Sequence, residues 1–234
     1  MKLPLSGGED IFRIKPWGTD GMFVDNCYAY AMGDHRKFRQ HKSVPGMKSG
    51  TYNPLANYRS CGNIAKQVAA DNPNRIKIVK PTTKCAKDTF KVMVFVSPTN
   101  SVGDTSGDFH FYKQHGIVEY KVKKDDTVES VAKFFHKRKT TIIKANKNRQ
   151  KLIPGTKLTL KINLFSHKRG WGGVPLLKDS NGKMITNPIK AGKKYTHNYS
   201  KYCSSFCVKN KGTKVNRPDN LKIRQNPFKS LGIF

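Results

Sequence analysis

The sequence predicts an α+β fold in which a helix-plus-antiparallel-sheet domain is interrupted by a small βααβ module. A short helical pattern at 25–33 comes first, and the strongest strand pattern of the chain follows at 90–96. The pattern of apolar residues over 118–162 then predicts a strand, two helices and a second strand, and further strand patterns follow this segment. We therefore expect 22–117 and 163–208 to form one discontinuous domain around that module.

The charge of the chain is its strongest compositional anomaly. The 234 residues hold 45 Lys and Arg against 15 Asp and Glu, a formal net charge of +30. The excess is spread out, because 118–162 carries thirteen basic and four acidic residues and 209–234 carries seven and one. Self-repulsion on this scale favours an anionic partner. The sequence therefore predicts contact with a polyanion, either DNA or anionic lipid, or with acidic neighbours in an assembly.

The two ends and the cysteines predict a compartment. Residues 1–21 are rich in Gly, Pro and charge and predict an irregular lead-in, while 209–234 predicts a basic extended tail. The start has no signal-peptide core, and no stretch reaches the run of about 18 apolar residues that spans a membrane. Five cysteines, an odd number, then predict a reducing cytosol with thiols mostly free. Cys203 and Cys207 could share a helix face, but no histidine pair has matching spacing, so we predict no metal and no cofactor.

The segment around Cys27 predicts a short helix. Asp25 can cap its start, and Gly33 can end it in the left-handed conformation. Cys27 would then lie in the first turn, where unpaired N–H groups and the helix dipole favour the thiolate. A reactive cysteine needs that environment. The alternative is a small buried residue that packs the helix onto a sheet.

Further helix and strand patterns follow Cys27. Residues 56–71 predict a helix, with apolar residues at helical spacing. Residues 108–113 alternate as a half-buried strand in which His110 faces opposite to its phenylalanine neighbours. A helix that carries a cysteine, followed by a sheet that carries a histidine, is the layout of papain-like folds.

The segment 118–162 resembles a LysM domain along its whole length. Asp125 departs from the pattern, since the family usually has glycine there. The matching residues are Tyr120, Val122, Asp126, Thr127, Val128, Val131, Ala132, Phe135, Ala145, Asn146, Pro154, Gly155, Leu158 and Leu160.

The LysM resemblance implies a binding groove for polymers that contain N-acetylglucosamine, such as peptidoglycan and chitin. In the family this groove lies between the loop before the first helix and the loop before the last strand. The corresponding residues here are Asp125, Asp126, Thr127 and Val128 in the first loop, and Asn148, Arg149, Gln150, Lys151, Leu152, Ile153 and Pro154 in the second.

When the LysM-like segment is removed, DFHFY joins directly to NLFSH. That junction resembles the NlpC-type cysteine peptidases, a papain-like family of peptidoglycan hydrolases. The strings DNCYAYAMGD, DFHFYKQ and SHKRGWGGVP are also similar to a related group in bacteria and large DNA viruses. The resemblance implies Cys27 as nucleophile, His110 as base and His167 as the residue that orients the base. The backbone N–H of Cys27 and a neighbour such as Asn26 would supply the oxyanion donors.

Three functions from different classes follow. The first is a cell-wall cysteine hydrolase that its LysM module targets to the substrate. The second is a virion-associated structural protein of a large DNA virus, made in the host cytoplasm, which as a minor capsid or capsid-lining component contacts other capsid proteins. The third is a non-catalytic glycan-binding protein. The charge favours the second, because a capsid lining can face an acidic surface.

The other histidines and the tryptophans have no such context. We interpret the histidines as surface or loop residues and the tryptophans as packing residues. They are His35, His41, His115, His136 and His197, with Trp17 and Trp171.

Overall fold

The computed structural model describes residues 3–39, 41–53, 58–98, 107–195 and 197–216. Its helices are α1 (Cys27–Met32), α2 (Ile64–Asp71), α3 (Val128–Phe134) and α4 (Lys139–Ala145). Its strands are β1 (Ile11–Phe12), β2 (Ile76–Val79), β3 (Thr89–Val96), β4 (Phe109–Lys121), β5 (Lys157–Lys168), β6 (Pro175–Leu176) and β7 (Lys201–Lys209). The chain is therefore mixed, with helices and a largely antiparallel sheet, as predicted.

Across the described residues the strands join in one sheet of order β2-β7-β3-β4-β5-β6, and β1 pairs in parallel with the distal half of β4. All other strand pairs are antiparallel. Every residue of β3 is buried, because this strand lies inside the sheet and both of its faces are covered. Its run of Phe, Val and Met produced the strongest strand pattern for that reason.

The strands β4 and β5 are longer than the sequence predicted. Strand patterns that the sequence separates at 108–113 and 119–122 form one strand, and the patterns at 157–160 and 163–167 form its partner. The pairing runs along both strands, with a register shift between His115 and Ile117. The two helices α3 and α4 lie at the far end of this hairpin. The predicted module boundary therefore falls inside continuous strands.

Three apolar clusters fill the interior. The first packs α1 and α2 on one face of the sheet, and it includes Tyr28 and Phe111. The second fills the module around Val131 and Leu158. The third lies around Tyr112 on the other face, under the segment that leads to β7. The helix α1 lies in the first cluster with all six residues buried.

Three sequence predictions are corrected here. The helix predicted over 56–71 is α2 alone, because 58–63 form turns and 54–57 lie outside the described residues. The lead-in contributes strand β1 and the buried Leu3, so it is not wholly irregular. Of the predicted tail, 209–216 are described, and Val215 is fully buried there. The rest of the tail lies outside the described residues.

The predicted free thiols are also wrong. Cys61 bonds to Cys203 and Cys85 bonds to Cys207, so both disulfides end on β7. These two β7 cysteines lie on a strand, and the predicted shared helix face does not exist. Cys27 is the free cysteine and is buried. The spacing of the cysteines held no signal for this pairing, because sequence separations of 142 and 122 are closed only by the sheet.

The disulfide pairing predicts how many cysteine thiols per chain react with a thiol reagent before and after reduction. In denaturant without reductant, one thiol per chain should react with Ellman's reagent, and five should react after reduction. In Cys27→Ala the unreduced count should fall to zero. Two or more reactive thiols before reduction would contradict this pairing.

Candidate functional site

The helix α1 places Cys27 at its first position. Asn26 caps the helix, since its Oδ1 accepts from Ala29 N at 3.1 Å, and Gly33 ends it with φ of +74°. The predicted cap Asp25 is wrong. Its carboxylate instead pairs with Arg39 Nε at 2.7 Å and His35 Nδ1 at 2.7 Å.

Asn26 is also engaged on its donor side. Its Nδ2 donates to the backbone oxygen of Ser43 at 2.7 Å, and the residue is fully buried. In this structure both ends of the amide therefore serve to hold α1 in place. A role as oxyanion donor would fall to the second N–H of Nδ2, because the first is donated to Ser43.

The thiol of Cys27 is held in its neutral form. It is 3% exposed, and Sγ donates to the backbone oxygen of Phe109 at 3.7 Å. Burial raises its pKa to about 12, and the charge of Asp108 acts in the same direction. The predicted thiolate is wrong because a helix terminus contributes about 0.3–1 kcal/mol, whereas desolvation of an ion costs several.

His110 and His167 share a hydrogen bond in which the donor and the acceptor can be assigned. His110 Nε2 and His167 Nδ1 are 2.8 Å apart, and His167 Nε2 lies 3.0 Å from the backbone oxygen of Lys178. A carbonyl only accepts, so His167 carries its proton on Nε2 and accepts on Nδ1. His110 must then donate from Nε2. This assignment leaves the lone pair of neutral His110 on Nδ1.

The sheet register brings the two histidines together. Tyr112 of β4 lies opposite His167 of β5, and His110 lies two residues before Tyr112 on the same face. Burial holds the pKa of His110 well below its usual value and lowers that of His167 to about 4. Both rings are therefore neutral at pH 7, as the tautomer assignment requires.

Cys27 and His110 line the same cavity, of about 360 Å³, at the end of the sheet where β4 begins. No hydrogen bond joins them in this structure, since the thiol faces Phe109 O. Tyr199 stacks on His110 with ring centroids 4.7 Å apart and donates to Asp108 Oδ2 at 2.7 Å. The other lining residues are Lys42, Phe109, Arg169, Gly170, Trp171, Gly172, Gly173, Tyr195 and His197.

Sequence reasoning missed Lys168 beside this cavity. The side chain is fully buried, and its Nζ donates to the backbone oxygens of Met22 at 2.9 Å and Gly170 at 2.8 Å. Burial lowers its pKa to about 8, while the charges of Asp25 and Cys27 oppose that shift. Lys168 thus ties the rim of the cavity to the loop before α1. Its position next to His167 was the only hint in the sequence.

Two interpretations of other residues are corrected. His115 is 2% exposed, and its Nε2 lies 2.6 Å from Ser166 Oγ, so it is not a surface residue. Trp171 is 55% exposed at the rim of the cavity, so it is not a packing residue.

The residues of the predicted groove divide by burial. Asp126 accepts from Tyr120 Oη at 2.6 Å and from Lys123 N at 2.7 Å, and Thr127 caps α3. Leu152 is 6% exposed and belongs to the module core, so it does not line a surface. Val128 is half-buried against that core. The exposed members are Asp125, Thr127, Asn148, Arg149, Gln150, Lys151, Ile153 and Pro154.

The described residues hold no group of His, Cys, Asp and Glu side chains suited to a metal ion. Among the same residues, none of the helices is both long and apolar enough to cross a bilayer.

The comparisons with known proteins identify the module. Residues 120–161 match the LysM domain. This match confirms the predicted resemblance to a LysM domain, and LysM domains bind glycans that contain N-acetylglucosamine. No curated protein and no solved structure matches the chain.

Acid should destabilise the protein through His167. Its folded pKa of about 4 lies below the usual 6.5, so between these values the unfolded chain binds more protons. The stability that neutral His167 contributes is complete above pH 6.5 and is lost as the pH falls toward 4. We expect the free energy of unfolding to fall by about 1.4 kcal/mol per pH unit for each such histidine.

Urea titrations between pH 6.5 and 5 measure this slope. His167→Gln should make it shallower, whereas His136→Gln, at an exposed turn after α3, should leave it unchanged. Equal slopes in the parent and both variants would contradict the conclusion that His167 is buried and neutral in the folded protein.

Proposed function

We propose that the protein is a cysteine hydrolase that cleaves an amide bond in a peptidoglycan-type substrate, to which its LysM module holds it. The observation that carries this proposal is the hydrogen bond in which His110 Nε2 donates to His167 Nδ1. It leaves a lone pair on His110 Nδ1, and His110 shares its cavity with the free thiol of Cys27. A nucleophile, a base and a group that orients the base are the parts that acyl transfer needs.

The reaction begins with proton transfer. His110 Nδ1 takes the proton of Cys27, and the thiolate sulfur attacks the carbonyl carbon of the substrate amide. The His110 imidazolium donates a hydrogen bond from its Nε2 to His167 Nδ1, which holds the ring in place. Its Nδ1 returns the proton to the leaving nitrogen as the C–N bond breaks. Water activated by His110 then hydrolyses the thioester and restores the thiol.

The oxyanion that forms in each step needs hydrogen-bond donors. The backbone N–H of Cys27 lies at the first position of α1, where no acceptor within the helix exists. Lys168 supports negative charge on the sulfur, because its buried ammonium interacts with Cys27. Proton transfer from the thiol to His110 requires Sγ to leave the backbone oxygen of Phe109, so substrate binding must turn the Cys27 side chain.

This arrangement supports the NlpC-type resemblance of the sequence. Cys27, His110 and His167 occur in the family order, and the helix precedes the strands of the histidines. We propose on this basis a papain-like site with the LysM module inserted between the two histidine strands.

The proposal predicts the outcome of three substitutions. Full-length protein should release new amino groups from purified bacterial sacculi. Cys27→Ala should abolish the release because the nucleophile is lost. His110→Ala should lower the rate by about 10²–10⁴ because the base is lost. His136→Ala, remote from the cavity, is the matched control and should keep the full rate.

Wild-type protein that binds sacculi and releases no amino groups would exclude the hydrolase. It would leave the non-catalytic glycan-binding protein, which the buried, neutral thiol favours.

The charge favours a second candidate, a virion-associated structural protein of a large DNA virus that contacts other capsid proteins. A net charge of +30 fits a component that lines an acidic surface. Support for this candidate comes from composition and from the resemblance of short motifs.

This second candidate predicts salt-dependent binding to DNA or to anionic vesicles. Counterion release requires the logarithm of the DNA affinity to fall linearly with the logarithm of the salt concentration, by about 0.9 for each phosphate neutralised. Filter binding with duplex DNA from 50 to 300 mM salt (conditions chosen around the physiological range) measures the slope. Neutral phosphatidylcholine vesicles are the control surface. A flat salt dependence on both anionic surfaces would remove the polyanion argument.

A further inference from the structure

Lys178 contacts both the LysM module and the hydrogen-bonded pair of histidines, and it does so with different atoms. Its backbone oxygen lies 3.0 Å from His167 Nε2. Its Nζ lies over the ring of Phe134 in α3, 5.0 Å from the ring centroid. Since Phe134 belongs to the module and His167 to the candidate site, one residue connects the two.

The backbone oxygen of Lys178 decides which nitrogen of His167 carries the proton. A carbonyl oxygen only accepts, so the proton must lie on Nε2, and Nδ1 is left to accept from His110. If His167 carried its proton on Nδ1, that proton would point at His110 Nε2. His110 would then have to carry its own proton on Nδ1 and could not take one from Cys27. The Lys178 oxygen therefore sets the direction of both hydrogen bonds.

Tyr195 does not set this direction. Its Oη lies 3.3 Å from His167 Nε2, and it donates to the backbone oxygen of Gly192 at 3.3 Å. A hydroxyl accepts as well as donates, so it tolerates either tautomer of the ring. Within the described chain, Lys178 supplies the one partner of His167 Nε2 that cannot donate.

A short hairpin over 177–185, which we call the coupling hairpin, holds the Lys178 oxygen in place. Ile185 N donates to Leu177 O at 2.9 Å. The Asp179 carboxylate closes the turn by accepting two backbone N–H groups at 2.9 Å each. Because Lys178 lies between these hydrogen bonds, its oxygen moves only when the hairpin moves.

The coupling hairpin packs on the module. The Leu177 side chain is buried in the apolar cluster that fills the module, and Met184 packs against the same cluster. Phe134, whose ring carries the Lys178 ammonium, is held in turn by an edge-on contact with the buried Phe135, with 4.8 Å between ring centroids. The position of the hairpin thus depends on how the module packs.

We propose that Lys178 is a positioning residue, through which the LysM module sets the direction of the hydrogen bond between His110 and His167. Its importance for catalysis rests on the proposed function, in which His110 Nδ1 is the base. The direction of the hydrogen bond exists without a substrate, so it can be measured on the resting protein. The module thereby has a role in addition to glycan binding, because it keeps the base in the tautomer that can take the proton of the thiol.

The first test reads the tautomers directly. In full-length, disulfide-bonded protein that is isotope-labelled at its histidine ring nitrogens, NMR spectra distinguish a protonated from an unprotonated nitrogen. We expect both His110 and His167 to carry the proton on Nε2 at neutral pH. A proton on Nδ1 of either ring would overturn the proposal.

A matched pair of substitutions tests whether the hairpin carries the effect. Leu177→Ala and Leu152→Ala remove the same atoms from the same apolar cluster, but only Leu177 lies on the coupling hairpin. Leu177→Ala should add a second set of His167 ring signals, with the proton on Nδ1. Leu152→Ala should keep the single Nε2 tautomer, although it also lowers the unfolding temperature. A second tautomer in both variants, or in neither, would contradict the coupling.

Exchange of the His167 Nε2 proton with water tests the ring contact. Lys178→Met should speed this exchange about two- to fivefold, the factor that an exposed cation–π contact is worth. Lys183→Met removes the same charge from the same hairpin and should leave the rate unchanged. In a Phe134→Leu background, Lys178→Met should have no further effect, because the contact is already lost. No acceleration by Lys178→Met, or an equal one by Lys183→Met, would show that the module does not act through Lys178.

These readouts separate the positioning role from the hydrolase proposal. Cys27→Ala should leave both tautomers unchanged. Protein that releases no amino groups from sacculi but shows the expected tautomers would exclude the enzyme and keep the control of the histidine pair by Lys178. If the protein does cleave sacculi, Lys178→Met should lower kcat about two- to fivefold and leave KM unchanged, since Lys178 acts on the base from outside the cavity lining. A change in KM alone would contradict this role.

Discussion

The pairing of β4 with β5 is the interaction on which the rest of the structure depends. The two strands span Phe109–Lys121 and Lys157–Lys168 and stay paired along most of that length. At one end the pairing sets His110 against His167, and at the other it supports α3 and α4. A slip of one residue would turn every side chain to the opposite face and separate the histidines. The same register also forces Lys121 and Lys157 together.

Desolvation sets the chemistry of the site. It raises the pKa of Cys27 to about 12, lowers that of Lys168 to about 8, and holds the pKa of His110 well below its usual value. Each shift favours the neutral form. The resting site thus holds a neutral thiol and a neutral imidazole, with no preformed thiolate–imidazolium pair. Catalysis would therefore depend on how a bound substrate changes the burial of these groups.

Several acidic side chains serve contacts inside the fold. Asp25, Asp34 and Asp71 are buried. Asp71, for example, accepts from Tyr28 Oη at 2.7 Å and from Gly46 N at 2.9 Å. Arg39, Lys91, Lys113 and Lys168 are buried as well, so burial removes charge of both signs from the surface and leaves its basic character to the composition.

The sequence by itself determined the elements whose signals are local. The strand–helix–helix–strand pattern of the module, the strand at 90–96 and the helix at Cys27 follow from apolar periodicity and turn residues over a few positions. The resemblance of the module's residues to the LysM family identified the module itself. Tertiary structure decided the two disulfides, the extent of β4 and β5, the neutral state of Cys27 and the role of Lys168. These depend on burial and on contacts between residues far apart in the chain, and neither quantity is encoded within a short window.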